Sequence, residues 1–164
     1  MDRAAIEELF AYTDYAWREY TRAIRTLGDP ALTRPVPGSG WPSFRDALAH
    51  LNFAYDRWLA DPAGTSASTV DVQALRSWDD VERDRRRVRD LFRGYFDSLP
   101  DSELMAPREM NIDGDMLAFS PADIFTHVLL HERGHHGDLS TLLYQAGVEP
   151  PVVEYRLFLM ESRT

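Results

Sequence analysis

Four segments of this chain repeat apolar residues at the three- and four-residue spacing of an α-helix, and this repeat constrains the fold more than any other feature. The segments cover residues 6–27, 44–60, 78–99 and 121–146, and each is bounded by glycine, proline or a serine suited to capping a helix. An amphipathic helix is stable only when its apolar face packs against a neighbour. The sequence therefore predicts an all-α protein built as a four-helix bundle.

The remaining segments predict smaller elements. Residues 101–119 lack the helical repeat, and the stretch "IDGDM" at 112–116 is typical of a tight turn between two short strands, which predicts a small hairpin between helices three and four. Pro150 and Pro151 precede a short apolar segment, which predicts a C-terminal helix lying on the bundle. The length of 164 residues predicts one domain over residues 1–164.

The charge of the chain argues against a nucleic-acid partner. The formal net charge is −9, whereas binding to a phosphate backbone needs a basic surface. The one run rich in arginine, residues 83–90, is interleaved with aspartate and flanked by glutamate. This mixture predicts a solvated helix face.

The residue types that are absent exclude several chemistries. The chain has no cysteine, which excludes disulfides, a thiolate nucleophile and cysteine-based zinc sites. All 18 basic residues are arginine, so Schiff-base and lysine general-base chemistry are excluded too. No apolar run approaches the roughly 18 residues of a membrane span, and the acidic N-terminal residues do not fit a signal peptide. We therefore expect a cytoplasmic protein without a membrane partner.

Four of the five histidines lie in the fourth predicted helix. On a helical wheel, His131 and His135 fall inside the apolar arc, whereas His127 and His136 lie at its two edges. A buried polar group without a partner costs about 1–3 kcal/mol. Side chains four residues apart on a helix are close enough for both rings to reach one ion. The pair therefore indicates either a metal site or two core histidines bonded to tyrosine or carboxylates.

The fifth histidine, His50, lies at the edge of the apolar face of the second predicted helix. Its neighbours Ala47 and Ala54 are small and leave room for another helix or an ion. Facing helices of a bundle commonly build metal sites, and His50 is the third ligand that such a site requires. His127 and His135 are eight residues, about 12 Å, apart along their helix, so the four histidines of that helix cannot all share one ion.

The segments "HVLLHERGHHGDL" and "LAHLNFAYDRWL" resemble the motifs of the DinB/YfiT-like family of metalloenzymes, which are metal-binding four-helix bundles. Members carry one ligand histidine in helix two and a pair separated by three residues in helix four. The stretches "AYTDYAWREY" and "LLYQAGVEPP" extend the resemblance over most of the chain. The resemblance implies that His50, His131 and His135 are the metal ligands and that open positions remain for water.

The resemblance also carries expectations about function. Members of the family include thiol-dependent transferases and isomerases that use bacillithiol or mycothiol. The resemblance thus implies a metal-dependent transferase or hydrolase with a small-molecule substrate, a low-molecular-weight thiol as cofactor, and a homodimeric assembly. Sites rich in imidazole suit zinc, with nickel or iron as alternatives. Three neutral imidazoles with free positions are the arrangement of catalytic metals.

The residues around the predicted ligands are less similar to the family. The chain has Gly134, His136 and Asp138 in a motif that otherwise ends in arginine, glycine and glutamine. Glu132, His136 and Asp138 are candidate catalytic residues, which would orient the ligands or move protons. A contact between helices is the alternative role for each of them.

Two other interpretations of the histidines stay open at this point. In the first, the ion only joins helices two and four and no reaction takes place. In the second, residues 131–135 are the H-E-x-x-H motif of a metallopeptidase, with Glu132 as general base and Glu154 as third ligand. The second interpretation leaves His50 unexplained, and it requires the proline-containing turn to bring Glu154 back to the site.

Overall fold

The computed structural model describes residues 1–66, 70–112 and 115–162. Within these residues, α1, α2, α3 and α5 are long helices that form a bundle, which confirms the predicted fold class. None of the helices in these ranges combines the length and the hydropathy of a membrane-spanning segment. The elements in chain order are α1 (Arg3–Arg25), α2 (Phe44–Leu59), α3 (Trp78–Ser98), α4 (Asp101–Leu104), β1 (Arg108–Ile112), β2 (Asp115–Phe119), α5 (Pro121–Gln145) and α6 (Tyr155–Ser162).

Serine side chains fix where three of the bundle helices begin. Ser43, Ser77 and Ser120 each accept a hydrogen bond from the backbone N–H three residues further on, as expected for N-cap residues. At α3 and α5 the bond is reciprocal, because the carboxylates of Asp80 and Asp123 accept from the N–H of the capping serine. These starts agree with the sequence prediction.

The four bundle helices follow an up-down-down-up order. The C-terminal halves of α1 and α5 share one apolar cluster with the N-terminal halves of α2 and α3. The opposite halves share a second cluster. Helices α2 and α3 therefore run parallel, and a long connection returns the chain between them. Helix α5 packs against both α1 and α2, while the rings of Phe10 and Phe92 meet between α1 and α3, with centroids 4.4 Å apart.

The prediction for residues 101–119 is correct in part. Strands β1 and β2 pair in antiparallel fashion, as expected for a hairpin. The predicted turn residues Asp113 and Gly114 lie outside the described residues. The expectation that no helix occurs in this segment is wrong, because α4 forms one helical turn whose Leu104 is buried. A single turn is too short to produce a detectable apolar repeat.

The C-terminal helix α6 lies on α1, as predicted. The ring of Phe158 contacts the rings of Tyr12 and Tyr15, with centroids 5.5 and 5.9 Å apart. These contacts bury Phe158. They place α6 against Tyr12, whose ring is also contacted by Arg133 of α5.

A buried polar layer separates the two apolar clusters. Both terminal nitrogens of Arg85 on α3 donate to the two oxygens of Glu132 on α5, each at 2.9 Å. The Tyr55 hydroxyl of α2 donates to the same carboxylate, and Arg89 donates to the Tyr55 oxygen at 2.7 Å. Burial by itself would raise the pKa of Glu132, but the guanidinium of Arg85 holds it below its ordinary value. Glu132 is therefore a buried anion with its charge compensated.

This layer predicts a large difference between two arginines of the same helix. Arg85→Ala leaves the buried carboxylate of Glu132 without its main partner, so we expect the free energy of unfolding to fall by about 3–5 kcal/mol. Arg83→Ala removes an exposed ion pair with Asp80, and we expect a loss below about 1 kcal/mol. Urea denaturation at neutral pH measures both. Equal losses for the two variants would contradict the proposed importance of the buried pair.

Candidate metal centre

Helices α2 and α5 bring three histidines together at their seam. One ring nitrogen each from His50, His131 and His135 lies within 4.8 Å of the other two. The Nε2 atoms of His50 and His135 are 3.2 Å apart. The rings of His131 and His135 also touch, with centroids 4.4 Å apart. The three residues named from the sequence thus form a cluster that could hold a metal ion.

The geometry of the cluster suits one divalent ion. Two nitrogens at 2.0–2.1 Å from a tetrahedral ion are about 3.4 Å from each other, close to the separation of the His50 and His135 Nε2 atoms. The Nε2 atom of His131 is buried and has no hydrogen-bond partner among the described residues. An unsatisfied buried nitrogen is costly, and an ion would satisfy it. Three imidazoles are a donor set that zinc and similar transition metals accept.

Asp138 fixes the tautomer and the orientation of the His135 ring. The Nδ1 atom of His135 lies 2.7 Å from Asp138 Oδ2, and the indole N–H of Trp41 donates to the same oxygen at 2.9 Å. Burial tends to raise the pKa of Asp138, but these two donors keep it below its ordinary value. An ionised carboxylate only accepts, so the proton of His135 is on Nδ1 and the Nε2 lone pair faces the cluster. Asp138 therefore orients His135.

The electrostatics of the cluster keep two of its rings neutral. Burial lowers the pKa of His131 to about 4, and the nearby rings of His135 and His50 contribute to this shift. Burial, followed by the ring of His135, also lowers the pKa of His50. A neutral imidazole is the form that binds a metal ion. The cluster is thus prepared for an ion at neutral pH without first losing protons from these rings.

The predicted burial of the α5 histidines is wrong in one respect. His136, expected at the edge of the apolar arc, is 1% exposed, whereas the side chain of His135, expected inside it, is 26% exposed. His131 is likewise half-buried, and His127 is exposed. Glu132 is buried because Arg85 on α3 binds its carboxylate. The centre of the buried face of α5 therefore lies nearer to Glu132 and His136 than the helical wheel predicts. His131 and His135 lie on the flank of α5 that faces α2.

Glu132 and His136 belong to the buried layer. Arg133 donates to Nδ1 of His136 at 2.8 Å, so the ring proton is on Nε2, which lies 3.5 Å from Glu132. The ring of Tyr20 stacks on that of His136, with centroids 5.0 Å apart. These contacts stabilise the junction of α1, α3 and α5. They support a structural role for Glu132 and His136, the alternative considered from the sequence.

The structure gives no support to the H-E-x-x-H interpretation. Glu154 is exposed beyond the end of α5 and forms an ion pair with Arg156. The third potential metal ligand beside His131 and His135 is His50. Glu132, which would be the general base, is enclosed with its carboxylate bound by Arg85. The sequence motif is present, but its residues point in different directions.

A cavity of about 350 Å³ adjoins the cluster through His50. The indole of Trp41 contacts the His50 ring, with centroids 4.9 Å apart, and bounds one side of the cavity. Sequence reasoning did not identify Trp41, because it lies in a loop and is 97 residues from its partner Asp138. The described residues around the cavity are Trp41, Pro42, Asp46, Ala49, His50, Phe53, Asp56, Val70, Val72 and Asp84.

The contact of Asp138 with His135 predicts its effect on metal binding. Asp138→Ala removes the acceptor that holds the His135 ring, so we expect zinc affinity to fall about 10–100-fold. Glu149→Ala, which removes one exposed acid just after α5, should leave the affinity unchanged. Competition titration with a chromogenic chelator measures both. Trp41→Phe removes only the indole donor of Asp138 and should lower the affinity by a smaller factor. An affinity of Asp138→Ala equal to that of the wild type would mean that Asp138 does not act through His135.

Comparisons with known proteins agree with this geometry. No curated protein matches the chain in sequence. A family model described as the DinB superfamily matches residues 12–139. The matched range covers well over half of the chain and includes all three histidines of the cluster, as well as Trp41 and Asp138. The chain belongs to the DinB superfamily.

Proposed function

We propose that this chain is a metal-dependent enzyme in which His50, His131 and His135 hold one divalent transition metal and leave part of its coordination open. Zinc is the first choice of ion, with nickel or iron as alternatives. The observation that carries the proposal is the buried Nε2 of His131, which has no protein partner among the described residues and faces two further imidazoles. Three protein ligands with a free position are typical of catalytic sites.

The reaction that we propose is the transfer of a low-molecular-weight thiol to a small electrophilic substrate. The sulfur would form a bond to an electrophilic carbon, a leaving group such as halide would depart with the electrons of its bond to that carbon, and the thiol proton would go to solvent. A bound ion would supply Lewis acidity, which lowers the pKa of a ligated water or thiol towards neutrality. The protein would contribute the three imidazoles, the carboxylate of Asp138 that orients one of them, and the cavity beside His50. The apolar walls of that cavity would exclude water from the reacting groups.

The cavity favours turnover over an ion that only joins two helices. An ion with a structural role is closed by four protein ligands. Here the described cluster offers three, its rings are only half-buried, and a cavity of about 350 Å³ opens beside one of them. A volume of that size is within the range of small-molecule sites. The same cluster without an adjoining cavity would support the structural role instead.

The proposed ligand set predicts which histidine is needed for the metal. After reconstitution with zinc, the wild-type protein should contain one ion per chain by elemental mass spectrometry, and His50→Ala should lose it. His127→Ala is the matched control, because it removes an exposed imidazole one turn before His131 and should keep the ion. Glu154→Ala should also keep it. Loss of zinc from Glu154→Ala alone would favour the peptidase, and a wild-type protein without metal would refute the proposal.

The proposed reaction predicts activity that requires both metal and thiol. Zinc-loaded protein should conjugate bacillithiol, mycothiol or another small thiol to a chromogenic aryl halide, as measured by absorbance. Chelation of the ion and the His50→Ala substitution should each abolish this activity, while His127→Ala should retain it. Stoichiometric zinc without turnover of any tested thiol would favour the structural role of the ion.

A further inference from the structure

The cavity beside His50 has polar groups of one kind. Apart from His50 itself, the polar side chains among its described lining residues are the carboxylates of Asp46, Asp56 and Asp84. The other lining residues, which include Trp41 and Phe53, are apolar or proline. No arginine is among the lining residues that the structure describes. The cavity is therefore an apolar chamber whose polar atoms are mainly hydrogen-bond acceptors.

Two of these carboxylates share one cation. Arg87 donates to both oxygens of Asp56, at 2.7 and 2.6 Å, and its Nη2 also donates to Asp84 at 2.7 Å. The side chains of Asp56 and Asp84 are only 3% and 7% exposed, whereas that of Arg87 is 36% exposed. Two buried negative charges are thus balanced by one positive charge that solvent partly screens. The inner wall of the cavity retains about one unit of negative charge.

Asn52 does not line the cavity, but it bonds to one of these carboxylates from behind. Its Nδ2 donates to Asp84 Oδ2 at 3.0 Å. Because the carboxylate can only accept, the amide cannot be turned round, and Oδ1 faces away from Asp84. That oxygen is buried and has no partner among the described residues. A buried acceptor without a donor is costly, so this group of Asn52, Asp56, Asp84 and Arg87 has one donor fewer than its acceptors require.

We infer that the cavity binds an amphipathic cation. Its substrate would have an aromatic or aliphatic body packed against Trp41 and Phe53, and an ammonium or amidinium group directed at Asp84 and Asp56. A cation would balance the excess negative charge of the carboxylates that line the cavity, whereas an anion of the same shape would be repelled. This assignment rests on the proposed function only in treating the cavity as the substrate site, since binding by charge does not require the ion.

Three probes of one shape test the inference: 2-phenylethylammonium, 2-phenylethanol and 3-phenylpropanoate. Isothermal titration calorimetry gives their affinities for the zinc-loaded and the metal-free protein at pH 7.5. We expect the cation to bind about tenfold or more tightly than the neutral probe, and the anion more weakly than either, in the metal-free protein. Comparison with the loaded protein reveals any direct ligation of a probe by zinc. Equal affinities, or a preference for the anion, would overturn the inference.

A pair of variants on α3 separates local charge from net charge. Asp84→Asn removes one carboxylate of the cavity and should reduce the preference for the cation to below about threefold. Asp90→Asn removes one exposed carboxylate from the same helix, and the preference for the cation should be unchanged in this variant. The same reduction in both variants would mean that the overall charge of the protein, and not the cavity, selects the cation. Thermal melting confirms that each variant is folded.

A further variant keeps the test decisive if Asp84→Asn does not fold. Phe53 is 47% exposed, so Phe53→Ala should leave the fold intact. This variant removes part of the apolar wall, so the affinities of all three probes should fall by a similar factor. Unchanged affinities would mean that the probes bind outside the cavity. Failure of zinc binding would refute the proposed function without affecting these measurements. The two proposals therefore fail separately.

Discussion

The ion pair between Arg85 and Glu132 is the interaction on which the rest of the structure depends. It lies between two apolar clusters, at the level where all four long helices meet. A carboxylate without exposure to water is tolerated only when a cation and hydrogen-bond donors compensate it, and Arg85 and Tyr55 supply both. Hydrophobic packing can accommodate small rotations of a helix, but a bidentate ion pair fixes the angle at which α5 faces α3.

The orientation of α5 in turn creates the metal centre. Consecutive residues of a helix point about 100° apart, so a carboxylate directed at α3 places the preceding ring on the flank that faces α2. His131 and His135 share that flank and meet His50, while His136 turns inward with Glu132. The same helix thus has a structural face and a candidate reactive face. The structural face holds the reactive face in position.

The candidate site joins two polar environments of opposite character. On one side, neutral imidazoles offer lone pairs, and Asp138 and Trp41 orient one of them. On the other side, the cavity ends in carboxylates that one partly exposed arginine does not fully balance. A small amphipathic cation would span the two, with its charged end held at the acidic wall and its body near the histidines. The range that matches the DinB superfamily, residues 12–139, includes the residues of both environments.

The sequence by itself determined the four long helices, the serines that cap three of them and the histidine pair of α5, because apolar spacing, serine caps and the spacing of His131 and His135 are local patterns. His50 was named from its place at the edge of the apolar face of α2 and from the resemblance of its segment to the family motif. Only the tertiary structure decided which way α5 is turned. Glu132 and His136 are polar by any scale of hydropathy, and the burial of Glu132 depends on Arg85, which is 47 residues away in the chain. Trp41 and the acidic wall of Asp56 and Asp84 were also beyond reach of the sequence. The position of each depends on a partner that is not adjacent in the sequence, and no local spacing encodes such a contact.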